Sequence, residues 1–504
     1  MYKELLKAVT NMGNPKVLLV GDFLIDSYVY GDALRISPEA PVQVLKVVDR
    51  EFRCGGAGSV AVDLAALGAG CICLGIVGDD ANGKKLTQML DECGSDTSGL
   101  ISITGRPTIS KERLIGLAQH RHRQQLLRID EECDDDLTAD QYEQILSVYK
   151  EKLDTVDVVC LQDYNKGVLS DGLCADMIKL AGDAGKKVLI DPAVSGDYSK
   201  YAGATLITPN RKESSAAVGF NIETIDDAKR GAEILFEKLD LEAIVITLDK
   251  EGAFLKTKDV AVHIPTVVRN VYDVTGAGDM VLATLAATIA SGCDYQTAVQ
   301  LSNIAGGLEV EKFGATSVTI DEIVNEIIAT NRGKTGKIHD VDTLGEMLRF
   351  HRQQNETIVF TNGCFDVLHR GHVEYLKFCK SHGDIVVVGL NSDSSVKQIK
   401  GPERPINNQY DRASVLAALE TVDYVTIFDE PDPLRTIERV KPDVLVKGVD
   451  WKDKGVIGQD FVEAGGGKVV LAPLVEGKSS TSVIDKIQTL KKYLTGVKKT
   501  QKKI

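Results

Sequence analysis

Short runs of β-branched and other apolar residues recur along the first part of the chain. They fall at Lys16–Gly21, Cys71–Val77, Val156–Leu161, Lys187–Ile190, Thr205–Thr208 and Ala243–Thr247, with helix-period segments between them. Strands that are apolar on both faces and alternate with helices predict a parallel sheet covered on both sides. One region breaks that rhythm. Pro41–Val48 alternates apolar and polar positions, as does part of Thr108–Leu117, and neither is promptly followed by a helix. Alternation predicts strands wet on one face, hence a small antiparallel flap standing off the main sheet and able to close over a ligand.

After Asp321 a helical pattern fades into the polar, Gly-containing stretch Asn331–Lys337, the best candidate for a linker. Strand-like runs then restart at Thr357–Phe360, Ile385–Leu390, Tyr424–Ile427, Val444–Val446 and Val469–Leu471. Five strands with intervening helices in about 150 residues make a complete α/β domain. The expected organisation is a first domain over 1–330, a linker over 331–342 and a second domain over 343–504. The two halves share a class but no repeat.

Composition adds limits. At 504 residues the chain exceeds what one core accommodates. A formal net charge of −14 argues against broad binding to nucleic acid or anionic membranes, the Lys-rich end (Lys491 to Lys503) being a local exception. No apolar run approaches the roughly 20 residues of a membrane span. Met1–Leu6 reads as the opening of an amphipathic helix without a signal core. Ten scattered cysteines, several inside strand-like runs (Cys71, Cys73, Cys160), suit buried thiols in a reducing compartment. A cytoplasmic protein is expected.

Two strings carry the candidate chemistry. Thr275-Gly276-Ala277-Gly278-Asp279 precedes the helical run Met280–Ala290. Small residues there let backbone amides of Gly276, Ala277 and Gly278 face an anion at a helix N-terminus, with Asp279 placed to take a proton from an attacking hydroxyl. Read alone, the string serves equally as a tight turn with an acidic cap. Asp22 and Asp26 follow the first strand's carboxyl end, where open α/β sheets bind ligands, and could accept hydrogen bonds from sugar hydroxyls or be ordinary loop acids. Arg121, Arg123 and Arg128 could hold a substrate phosphate or be bystanders.

The second string, Gly363-Cys364-Phe365-Asp366 with His369 and His372, comes after a strand and opens the helix Val373–Cys379. Histidines three apart share a helix face, and Gly371 leaves the helix end open to a phosphate. The pair suits a triphosphate; a metal site lacking an obvious third ligand, or a structural pair, are the alternatives. Ala472–Ser479 loosely matches a P-loop, but Pro473 removes a cradling amide and too little chain follows to complete that fold.

The first half, roughly 15–325, resembles the ribokinase family of sugar and nucleoside kinases. The likeness rests on Gly55-Gly56-Ala57-Gly58-Ser59, Gly75–Asp80, Thr208–Glu213 and Asp273–Asp279. It implies a ribokinase-like three-layer α/β domain with a small β flap. Asp279 would be the base, and Gly276, Ala277 and Gly278 the anion hole. Asn210, Arg211, Lys212 and Glu213 would lie on ATP, Glu213 acting on Mg²⁺ indirectly, with Asn303 flanking the nucleotide. Asp22, Asp26, Gly55, Gly56, Ser59 and Arg128 would face the sugar; the family usually has Asn where Ser59 stands, so that contact is altered. Residues 355–490 resemble the nucleotidyltransferase superfamily, implying a Rossmann-like α/β domain. His369 and His372 would be catalytic, and Gly363, Phe365, Asp366, Asn391, Arg412, Lys447, Asp450, Ser479, Ser480 and Thr481 nucleotide-binding. The Arg that cytidylyltransferases carry upstream of the last motif is absent, since Pro473–Glu476 stands there, so the base preference stays open.

The fusion in this order, with Arg35–Val42 and Gln124–Arg128, resembles the bifunctional heptose 7-phosphate kinases and heptose 1-phosphate adenylyltransferases of bacterial lipopolysaccharide biosynthesis. That resemblance implies phosphorylation of heptose 7-phosphate at C1 and adenylyl transfer from ATP to heptose 1-phosphate, with Mg²⁺ and a separate heptose bisphosphate phosphatase between the steps. It also allows a homodimer formed through the flap. A different sugar kinase joined to a cytidylyltransferase, or a non-catalytic metabolite-binding scaffold, are the rival readings.

Overall fold

The apolar runs become strands because their β-branched residues are buried on both faces, as in Lys16–Gly21, where all but Lys16 are buried. The computed structural model describes residues 2–117, 124–133, 135–266, 275–312 and 316–473. The chain forms two compact units, one reaching Glu326 and the other starting at Ile327.

In the first unit a nine-stranded sheet runs in the order Ala261–Ile264, Ala253–Thr257, Ala243–Thr247, Leu206–Ile207, Lys187–Asp191, Val158–Gln162, Lys16–Gly21, Gly70–Gly78, Asp96–Ile103. It is parallel except for Ala253–Thr257 and Ala261–Ile264, which pair antiparallel at one edge. The chain reverses its direction of travel across the sheet between Lys16–Gly21 and Val158–Gln162, which pair in parallel. A crevice at the carboxyl ends of two such strands is where an open α/β sheet takes ligand. One face packs against the helices Ala139–Leu153, Asp171–Asp183 and Ile225–Lys238 through a core that includes Leu18, Val159, Tyr149, Met177 and Leu235. Ala57–Ala66, Ala277–Ala290 and Tyr295–Glu309 are further helices of this unit, and Ala277–Ala290 is apolar and buried around nearly its whole circumference.

The flap is a separate four-stranded sheet, in the order Gln43–Gly56, Phe23–Ile36, Ser110–Gly116, Gln124–Glu131. It is larger than expected, and its two central strands pair in parallel from Ile25↔Ser110 to Gly31↔Gly116, so an all-antiparallel flap was the wrong expectation. The alternating rule also failed locally, because Val47 and Val48 are both exposed. Leu34, Ile36, Phe52, Leu127 and Ile129 are exposed as well, giving the flap an uncovered apolar surface.

The helix Ile320–Thr335 continues through Asn331–Thr335, which the sequence suggested as linker. Just beyond, Ile338 bridges Val425, and the Lys337 carbonyl accepts the Val425 amide at 2.7 Å. Much of the expected linker is therefore ordered structure. The second unit holds a five-stranded parallel sheet in the order Tyr424–Phe428, Ile385–Asn391, Ile358–Gly363, Val444–Gly448, Lys468–Ala472. Its switch point lies between Ile358–Gly363 and Val444–Gly448, which pair in parallel. Among the described residues, no helix is long and apolar enough to cross a membrane.

Candidate active sites

In the first unit, the buried helix Ala277–Ala290 begins at Gly276, whose φ of 96° suits glycine and sets the turn into the helix. Its first-turn amides have no acceptor within the helix. A Cβ on Gly278 would meet nothing within 4 Å, so the backbone here stands open to a ligand. Asp273 and Val274 lie outside the described residues.

Asp279 is 6% exposed, and one oxygen, Oδ1, accepts from Gln162 Nε2 at 3.0 Å and from the Tyr164 hydroxyl at 3.1 Å. Burial pushes its pKa well above the usual carboxylate value; Asp191 and Glu309 push the same way, against the Tyr164 and Ser59 hydroxyls. That is a buried, perturbed carboxyl rather than a solvated cap. Ser59 thus borders Asp279, as well as standing 3.5 Å from the Cys54 carbonyl.

Other expected sugar-binding residues have structural duties. Asp22 is fully buried and accepts the amides of Tyr164, Lys166 and Val168 at 3.0, 3.1 and 3.4 Å. Burial, then Asp163, raises its pKa to about 6. Both Asp22 oxygens thus hold the loop that follows Asp163. Asp26 is paired with Arg113, and Gly55 is required beside it, since a Cβ there would sit 2.4 Å from Asp26 Oδ2. Gly56, at φ 58°, allows its strand to approach the Asp22 carbonyl, which a Cβ would meet at 2.4 Å. Arg128 gives Nε and Nη2 to Asp130, both at 2.8 Å, so it is not a free cation. Arg121 and Arg123 lie outside the described residues.

Asn210 caps the helix Arg211–Val218. Its Oδ1 accepts the Glu213 amide at 3.0 Å, and Glu213 Oε2 accepts the Asn210 amide at 2.8 Å. Burial and the nearby Asp191 raise Glu213 to about 7. Asp191 itself is raised to about 6 by burial, while Gln162 and Thr208 donate to it. These crowded oxygen donors fit a hard cation such as Mg²⁺, whose arrival would relieve their mutual repulsion. Among the described residues no three acids, His or Cys converge to cage a metal, so Mg²⁺ would be held chiefly by phosphate oxygens. Arg211, expected on the phosphates, donates to Asp249, Glu251 and the carbonyls of Ile222 and Leu248. Asn303 donates to the Ile264 carbonyl at 2.9 Å, tying its helix to the sheet edge. Lys212 is exposed beside Glu213.

In the second unit, His369 caps the helix Arg370–Lys380, its Nδ1 accepting the Gly371 amide at 3.1 Å. That assigns the neutral ring's proton to Nε2. The His369 and His372 rings stack with centroids 4.0 Å apart, and Phe365 leans on His372 at 5.2 Å. Burial, His369 and Lys400 lower His372 to about 4, so it is neutral near pH 7. Gly363 leaves room for the Phe365 ring, which a Cβ would touch at 3.1 Å. Lys447 is buried against Asn362 and over the Trp451 ring, with its pKa lowered to about 8 by burial. Asp450 is exposed in the turn Val449–Trp451, where its charge favours protonated Lys447.

Three expected nucleotide ligands make hydrogen bonds within the fold. Asp366 is 2% exposed, pairs with Arg404 and accepts the amides of Ile406 and Asn407. Arg412 is equally buried and binds Asp393 and the carbonyls of Cys364, Asn391 and Asn407. Asn391 donates to Ser395 at 3.0 Å. Ser479, Ser480 and Thr481 lie outside the described residues. Sequence reasoning missed Gln162, Tyr164 and Lys400. The signal for Lys400 was its position as the last residue of the helix after Asn391–Asp393, a cation feeding the histidine pair.

A ribokinase-like unit with a buried acid at a helix head, joined to a parallel-sheet unit with a histidine pair at a helix head, defines a bifunctional kinase and nucleotidyltransferase. Residues 14–322 match the pfkB family of carbohydrate kinases and 360–470 the cytidylyltransferase-like family. The first fold is shared with Arabidopsis thaliana ribokinase complexed with ribose and ATP (18% identity, TM-score 0.50, 62% of this chain and 99% of that one). It is also shared with Escherichia coli phosphofructokinase-2 (17%, TM-score 0.52, 63% and 100%). The chain is 45% identical over 471 residues to the bifunctional protein HldE of Geobacter metallireducens, covering 93% of this chain and 95% of the relative. To HldE of Campylobacter fetus it is 44% identical over 474 residues, covering 94% and 99%. The chain belongs to the HldE family of bifunctional proteins.

Proposed function

We propose that this enzyme carries out two ATP-dependent steps of ADP-heptose formation for bacterial lipopolysaccharide. In the first unit the anomeric hydroxyl of D-glycero-D-manno-heptose 7-phosphate gives its proton to Asp279. Its oxygen bonds to the γ-phosphorus of ATP, and ADP leaves, giving the 1,7-bisphosphate. The amides of Gly276, Ala277 and Gly278 stabilise charge on the transferring group. Asn210 and Glu213 would help to organise Mg²⁺, which when bound would supply further positive charge to the phosphates.

In the second unit an oxygen of heptose 1-phosphate attacks the α-phosphorus of ATP and pyrophosphate leaves. His369 and His372 donate to the triphosphate, aided by Lys400, and no covalent enzyme intermediate is needed. A separate phosphatase must remove the 7-phosphate between the two steps. ATP and sugar phosphates as substrates fit a cytoplasmic setting, and the uncovered apolar flap fits a homodimer.

The observation that carries this reading is the coexistence of both helix-head sites in one chain similar to HldE over nearly its whole length. Pyrophosphate release is measured with each nucleoside triphosphate and a panel of sugar 1-phosphates. Preference for ATP with heptose 1-phosphate is expected; preference for CTP, or for another sugar, would overturn the assignment.

A further inference from the structure

Residues Asp163–Val168, between the strand Val158–Gln162 and the helix Asp171–Asp183, are held from more directions than a connection requires. Asp22 takes three of their amides. Asp163 accepts the Asn165 amide at 2.8 Å and the Tyr201 hydroxyl at 2.7 Å, and pairs with Lys200 at 2.6 Å. Arg106 donates to the carbonyls of Lys166, Asp135 and Cys133 at 2.9, 3.1 and 3.4 Å. Asn165 has a φ of 55° and Gly167 one of 92°, where a Cβ would lie 2.8 Å from the Asp135 carbonyl. Strained backbone persists only where its surroundings impose it, and it gathers at functional sites.

The loop delivers the Tyr164 hydroxyl to Asp279 Oδ1, the oxygen that Gln162 also reaches. Two donors from one loop and its strand thus fix that oxygen, and Ser59 also acts on the carboxyl. Lys111, on the flap strand Ser110–Gly116, holds its ammonium 5.4 Å from the Tyr164 ring centroid, a cation–π distance. One side chain therefore touches both the flap and the proposed base.

We infer that Tyr164 is a positioning residue for Asp279, pinning one carboxylate oxygen so that the other meets the sugar hydroxyl, and linking that geometry to the flap through Lys111. The inference rests on Asp279 being the base. The groups acting on that carboxyl are Asp191 and Glu309, which disfavour its charge, and Tyr164, Ser59 and Gln162, which donate to it or stand beside it; Asp63 is the next acid, itself coupled to Glu309 and Asp279. Burial keeps Tyr164 protonated, so it donates throughout the working pH range. Removing its hydroxyl removes a bond that favours the ionised base, which moves the acidic limb of the kinase profile to higher pH.

The test is Tyr164→Phe in the full chain, with kinase kinetics across pH and adenylyl transfer as the internal comparison. Expected are a kcat for phosphorylation lowered roughly ten- to a hundred-fold, a KM for ATP changed less than about twofold, and adenylyl transfer unaffected. The acidic limb should shift upward. A folded Tyr164→Phe protein with parental kcat and an unmoved limb overturns the inference. Undiminished phosphorylation by Asp279→Asn would instead overturn the base assignment. Should Tyr164→Phe fail to fold, 3-fluorotyrosine at position 164 supplies the test: its stronger donor moves the limb to lower pH, and an unmoved limb refutes the role.

Discussion

Asp279→Asn separates the two activities most sharply, and the structure says why it should do so without damaging the fold. The carboxyl is buried, with Gln162 and Tyr164 both donating to Oδ1 at 3.0 and 3.1 Å. An Asn of the same shape keeps an oxygen there for both donors, and its amide carries no charge into the site. Because burial and neighbouring acids already disfavour the ionised form, neutralising the side chain removes strain rather than adding it. Stability should change by no more than about 1 kcal/mol, a shift of a few degrees at most in the unfolding midpoint. The proton acceptor, by contrast, is gone. General-base loss costs roughly 10²- to 10⁴-fold, or about 3–5 kcal/mol of barrier. The assay follows ADP formation with heptose 7-phosphate and pyrophosphate formation with heptose 1-phosphate on the same preparation. Phosphorylation should collapse while adenylyl transfer and the melting curve hold. A folded variant that loses both activities, or keeps more than about a tenth of its phosphorylation, refutes the reasoning.

Further outcomes follow from the same geometry. Arg412→Ala strands Asp393 and the carbonyls that Arg412 now binds, so it should destabilise the second unit by roughly 3 kcal/mol, read by denaturant unfolding; a stable variant with only weakened ATP binding would restore Arg412 as a ligand. Gly278→Ala should leave stability unchanged yet impair phosphorylation, because the added methyl meets no protein atom within 4 Å and enters the space proposed for phosphate. Gly56→Ala, at positive φ and against the Asp22 carbonyl, should cost about 1–3 kcal/mol; equal melting of the two variants would contradict this contrast. His372 should titrate near 4 in the ligand-free protein by NMR. Since its folded pKa lies below the ordinary 6.5, the stability it contributes is complete above 6.5 and is lost as pH falls toward 4. His372→Gln should flatten that slope, and an observed pKa near 6 would contradict the buried, stacked placement.

Regular features were legible in the sequence because burial leaves a pattern. The strand at Ala243–Thr247 coincides with its apolar run, and the two helix-head strings open helices as their small residues require. Less legible were segments whose stability comes from partners distant in sequence. Phe23–Ile36 carries Asp26 into the flap sheet, although its first residues look like the end of a loop. Asn331–Thr335 is helical despite a polar, Gly-containing composition that suggests a linker. Site residues divide in the same way. Motif position brought Asp279 and the histidines to helix heads, but it does not say which polar side chains folding will bind internally. Asp22, Arg211, Asp366 and Arg412 lie in the right strings and spend their polar atoms on backbone groups brought near by folding. Tyr164 belongs to no motif; only the tertiary hydrogen bond to Asp279 reveals it.

A single incubation with ATP labelled differently at its α and γ phosphorus, Mg²⁺, heptose 7-phosphate and heptose 1-phosphate, resolved by mass spectrometry, puts both sites to work at once. Two separate transfer sites predict γ label in the sugar bisphosphate and α label in ADP-heptose, with no α label in the bisphosphate. Label from only one position in the products, however long the reaction runs, would contradict two independent transfer sites on one chain.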